Sequence, residues 1–172
     1  MQEFLDFLKF LDEQLVSREL PPLEALLMQA SFSSLVGEFA GTDIPKYCHT
    51  TARNRYHNGY PDLLPKDVFT GNAVQHGHGG IEIKASRYSS GWQGHNAEVG
   101  WLMVYTFEAS RPEMTTGGAE VVPFRYTGVY AAELTADDWT FSGRSETSRR
   151  TITASVNKTG MAKMLSNWIY RD

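Results

Sequence analysis

Ile81-Glu82-Ile83-Lys84-Ala85 is the stretch on which the fold turns. It alternates apolar and charged residues with period two, the pattern of a strand. Glu82 and Lys84 therefore share one face, and Ile81 and Ile83 fill the core behind them. Upstream lie Tyr60-Pro61-Asp62-Leu63-Leu64, Val68-Phe69, a turn at Thr70-Gly71-Asn72 and His76-Gly77-His78-Gly79-Gly80. These read as strand, turn and strand, so a hairpin brings Asp62 back against Glu82. Downstream, residues 101–107 and 124–134 read as buried strands and 151–156 as a short alternating one. Residues 135–138 read as a turn or helix start and 158–166 as a helix. Residues 86–100 form a polar loop carrying aromatics, and 109–123 a Gly/Pro/Thr loop.

Before this region, Phe4, Leu8, Leu11 and Leu15 recur at helical spacing until Pro21-Pro22 interrupts. A second helix runs from Leu23 through Leu26, Leu27, Ala30, Val36 and Phe39 and stops at Gly41. Residues 42–59 are polar and lose the period. Helices followed by strands and mixed elements predict an α/β or α+β fold, and α/β is the reading taken. With 172 residues and no repeat or long linker, one domain is expected. Its parts are N-terminal helices (1–41), a sheet core (60–135) and a basic C-terminal segment (143–172).

Two carboxylates meeting beside a lysine have a clear chemical use. Mg²⁺ takes oxygen ligands, often one or two carboxylates with water and a substrate phosphate. Such an ion stabilises charge on a phosphate and makes a nucleophile of water, and a lysine offsets transition-state charge. Pro61-Asp62 followed by Glu82-Ile83-Lys84 resembles the PD-(D/E)XK nuclease superfamily, to which many type II restriction endonucleases belong. The resemblance implies a restriction-endonuclease-like core, a central mixed β-sheet flanked by helices. It implies Asp62, Glu82 and Lys84 as catalytic residues. The metal, Mg²⁺ with Mn²⁺ able to substitute, would be held by Asp62, Glu82 and the main-chain carbonyl of Ile83. The family often has an acid on a preceding helix; Glu38 is the candidate and Glu24 the second choice. The bland alternative is an Asp at a turn and a surface Glu82–Lys84 pair on an edge strand.

The loop after the strand offers Arg87, Gln93, His95 and Asn96, types that read base edges. Trp92 there reads as a core cap, and Glu98 as an additional metal or water ligand. Arg149 and Arg150, set among hydroxyls, suit phosphate contacts. The formal charge of −4 hides an asymmetry: acids outnumber bases seven to two over residues 1–42, and bases outnumber acids six to two over 143–172. The expected substrate is double-stranded DNA, cut by a homodimer whose two-fold axis matches a palindrome, with a cognate DNA methyltransferase as a partner. A repair or junction-resolving nuclease of the same superfamily, or a non-catalytic DNA-binding module, is the alternative.

Other chemistries find less support. His76 and His78 can share a strand face, yet no Cys or third His lies near them, and structural zinc wants four ligands. There is no G-x-S-x-G elbow and no phosphate loop of Walker type. Cys48 cannot form an internal disulfide and reads as a small buried hydrophobe in a reducing compartment. Glu3 and Asp6 stand where a secretory leader carries basic residues, so a cytoplasmic location with no membrane partner is expected.

Overall fold

The computed structural model describes residues 1–94, 96–110, 122–141 and 153–172. Three helices come first: α1 (Gln2–Val16), α2 (Leu23–Leu26) and α3 (Gln29–Tyr47). Then follow β1 (Thr51–Arg53), β2 (Leu63–Pro65), β3 (Ile81–Ser86), β4 (Gln93–Gly94), β5 (Gly100–Glu108) and β6 (Arg125–Leu134). The chain continues through β7 (Trp139–Phe141), β8 (Ala154–Val156), α4 (Lys158–Ser166) and β9 (Trp168–Arg171). The fold is α/β. A six-stranded sheet has the order β1-β2-β3-β5-β6-β9, and a small one the order β4-β8-β7. The large sheet is mixed: β3 and β5 are parallel, and the other neighbours are antiparallel.

Period-two alternation along β5 sets the layers. Tyr105 and Phe107 pack with Phe4 and Leu8 of α1, Phe32, Val36 and Ala40 of α3, and Leu63 and Ile83. Leu102 and Val104, one residue out of step, pack with Trp92, Tyr130, Trp139, Val156 and Met164. Helices therefore cover one face of the large sheet, and the small sheet with α4 covers the other. Phe4, Phe32, Leu102, Val104 and Met164 are at most 1% exposed, so β5 is a central strand buried on both sides, as its continuous apolar run demands.

The expected helix over 23–41 is in fact two. Met28 caps α3 in an extended conformation, and the helix continues past Gly41 to Tyr47. Gly41 is buried facing Ile83, and Asp43 pairs with Lys46 in the next turn. Packing on the sheet, rather than intrinsic propensity, thus carries α3 through the glycine. Cys48, at the end of α3, is half-buried beside the Thr50 hydroxyl (3.3 Å) rather than in the core. No helix among the described residues is long and apolar enough to cross a membrane.

Candidate active site

The antiparallel β2–β3 pairing has a single rung, Leu63↔Ile81. One step further along that register, Asp62 stands opposite Glu82. There β2 ends and the free edge of β3 opens. The Asp62 carboxylate fills the missing strand's place, its Oδ2 accepting from the Ile83 N–H at 2.8 Å. In a strand, N–H and C=O of one residue point the same way, so the Ile83 carbonyl faces this open edge too.

The segment before Asp62 is held by side-chain bonds. Asn54 Nδ2 donates to the carbonyls of Pro61 (3.0 Å) and Val74 (2.8 Å), and its Oδ1 accepts from the Val74 N–H (3.1 Å). The Asn54 N–H donates to the Asp62 carbonyl at 2.8 Å. Gly59 lies so close that a Cβ there would stand 2.5 Å from the Val74 carbonyl. The Tyr60–Pro61 peptide is cis.

Glu82 is 8% exposed, and its Oε1 accepts from Lys84 Nζ at 2.5 Å. Burial, and the neighbouring Glu82 charge, push the Asp62 carboxyl up to about 6. Burial likewise raises Glu82, against the lowering pull of Lys84. For Lys84, burial alone would depress the ammonium, but the Glu82 and Glu98 carboxylates outweigh it and raise the pKa. The expected trio of Asp62, Glu82 and Lys84 converges.

These groups line a cleft of about 400 Å³ between α3 and β4. Glu38 lines it as well, ion-paired with Arg53 of β1 across the mouth. Gln93 sits exposed on the β4 side. Asn96 is exposed but does not line the cleft, and His95, Arg149 and Arg150 lie outside the described residues. Arg87 corrects its expected role. Its guanidinium lies over the rings of Phe32 (5.5 Å) and Phe107 (5.3 Å) and donates to the Ala109 and Glu24 carbonyls (2.5 and 3.4 Å). It cements the helix–sheet layer and does not line the cleft. Glu24, the second-choice acid, is 2% exposed and does not line the cleft either. Trp92 is the core cap expected, 3% exposed with its indole N–H on the Tyr88 carbonyl (2.9 Å). His76 and His78 are exposed.

Two residues, Arg53 and Tyr60, escaped the sequence reading as site members, and a third, Glu98, takes a different place from the one expected. Arg53 lies in the stretch without a period. Tyr60 immediately precedes the Pro61-Asp62 pair, and its hydroxyl donates to the Val99 carbonyl at 3.1 Å. Glu98, considered only as an extra metal or water ligand, lies 3.2 Å from Lys84 Nζ.

Among the described residues, no three His, Cys, Asp or Glu side chains form a ready cage for a metal. The donors do fit a hard divalent cation that keeps water and substrate oxygens: Asp62, Glu82 and the Ile83 carbonyl on one edge. Lys84 offsets only part of the negative charge of the carboxylates around it. No protein-family model, curated protein or solved structure matches the chain.

Proposed function

We propose that the protein is a metal-dependent endonuclease of the PD-(D/E)XK kind that hydrolyses phosphodiester bonds in double-stranded DNA. The observation that carries this reading is the meeting of Asp62, Glu82, Lys84 and the Ile83 carbonyl on one open strand edge. Asp62, Glu82 and Ile83 would hold Mg²⁺, which supplies charge neutralisation at the scissile phosphate. Lys84, kept protonated by its carboxylate neighbours, orients the attacking water and offsets charge on the phosphorane-like transition state. Arg53 at the cleft mouth exchanges Glu38 for a backbone phosphate, and Gln93 on the opposite side contacts a base.

A type II restriction activity is the form proposed within this class, with a homodimer placing one site on each strand and a methyltransferase protecting the host target. Incubating plasmid with the protein and Mg²⁺ tests the class and the form together. Discrete fragments are expected, and chelator stops the reaction. Asp62→Asn, Glu82→Gln and Lys84→Ala, each folded, lower the rate by about a hundred- to a thousandfold, the scale of losing one transition-state stabiliser. A smear points to a repair-type or nonspecific nuclease. Intact plasmid in Mg²⁺ and Mn²⁺ removes the assignment.

A further inference from the structure

We propose that Glu98 is the positioning residue for Lys84, holding the ammonium in register from behind the cleft. This inference rests on the nuclease reading for its consequence but not for its geometry. Lys84 Nζ sits between two carboxylate oxygens, Glu82 Oε1 at 2.5 Å and Glu98 Oε1 at 3.2 Å. Glu82 lines the cleft and has a second task there; Glu98 does not line the cleft and reaches it only through Lys84. A lysine on a flexible four-carbon stem loses rotamer entropy when its ammonium is fixed. An acceptor committed to nothing else is what keeps it in place when Glu82 engages another group.

The protein fixes Glu98 with some care. Its side chain is 10% exposed, and its Oε2 is buried without a hydrogen-bond partner among the described residues. A buried, unsatisfied carboxylate oxygen is costly, which argues that the position does something other than fill space. The carboxyl lies directly against Gly94, where a Cβ would meet the Glu98 carboxyl carbon at 2.7 Å. Strand β4, which carries Gly94, is tied to β8 through Gln93↔Ser155 and Gly94↔Ala154. On the other side, the hydroxyl of Tyr60, two residues before Asp62, donates to the carbonyl of Val99, the residue after Glu98. The same short segment that delivers Asp62 therefore also fixes the backbone that delivers Glu98.

Three variants separate positioning from packing. Glu98→Met keeps the volume and removes the acceptor. Glu98→Gln keeps volume and an acceptor oxygen. Gly94→Ala leaves Glu98 chemically intact but displaces the flexible end of its side chain. Two readouts are taken on the full chain: steady-state plasmid cleavage in Mg²⁺, and the ¹H–¹⁵N signal of the Lys84 ammonium in the protein without added cation. A pinned ammonium gives a sharp signal in the wild type. Glu98→Met and Gly94→Ala broaden it beyond detection and lower kcat by about 10–100-fold with KM within about twofold, the range for supports of a reacting group. Glu98→Gln keeps the signal and stays within about fivefold of wild-type kcat, since a neutral acceptor preserves most of such a bond. Wild-type kcat in Glu98→Met, a sharp Lys84 signal in that variant, or no signal in the wild type overturns the proposal. If the wild type cuts no DNA, the nuclease assignment falls separately, and the ammonium signal alone still decides whether Glu98 positions Lys84.

Discussion

Asp62 carries two demands that conflict. Its Oδ2 must cap the Ile83 N–H, and its charge must sit, desolvated, against Glu82. The folded carboxyl is raised to about 6, above the 3.8 of a free aspartate. Between those values the native state holds a proton that the unfolded state has lost. Stability therefore falls as pH rises through that window and stays low above it. Without divalent cation, Asp62→Asn should unfold at higher urea than wild type at pH 8, by about 1–2 kcal/mol. At pH 4 the two should nearly coincide, and urea titrations at both pH values check this. A wild type as stable at pH 8 as the variant would show that the site tolerates its charges without help. At this scale the period-two strand and the Pro61-Asp62 pair made Asp62, Glu82 and Lys84 legible in the sequence. Arg53 was not, and Glu98 was legible only as a candidate metal or water ligand, because each reaches the site from a stretch without periodicity and through a contact that only the folded chain creates.

The elements around the cleft are short, and side-chain bonds do much of what long ladders do elsewhere. Asn54 bonds Pro61 and Val74 at once and so fixes the segment that presents Asp62. Asn54→Ala strands two carbonyls and an N–H in a half-buried region. Its expected cost is about 2–3 kcal/mol in urea unfolding, together with a loss of cleavage as Asp62 drifts from Glu82. Unchanged activity would show that β2 alone fixes Asp62. The same shortness explains what the sequence withheld. Strands β1, β4, β7 and β9 have three, two, three and four residues, too few for an alternation to declare itself. Strands β5 and β6, nine and ten residues long, matched expectation closely, as did α4, whose Asn157 cap accepts from the Thr159 and Gly160 N–H groups. The polar stretch 42–59 hid the end of α3, since Gly41 read as a stop until the sheet beneath it was known.

For the whole molecule, two apolar layers meet on one sheet, and the second is locked at a corner far along the chain. Asp138, 1% exposed, accepts from the Thr135 N–H (2.8 Å) and hydroxyl (3.0 Å) and from Lys163 Nζ (2.6 Å). Burial alone would raise its carboxyl, but these donors lower it. That contribution is complete above the ordinary aspartate range and is lost as pH falls through the depressed folded value. Asp138→Ala should lower stability by about 2–3 kcal/mol at pH 7 and progressively less toward pH 3, read by urea unfolding at each pH. An equal loss at both ends would locate its role in packing. The open edge of β3 has a further bearing on how copies of the chain behave toward each other. An unpaired strand edge invites another molecule's strand, and here the carboxylate of Asp62 occupies the first available donor. The proposed metal ligand and the stopper are thus one side chain. The alanine replacement commonly made to silence such a site would also unstopper the edge, whereas asparagine leaves an oxygen in place. Concentrated Asp62→Ala protein should scatter light and lengthen into oligomers where Asp62→Asn stays dispersed.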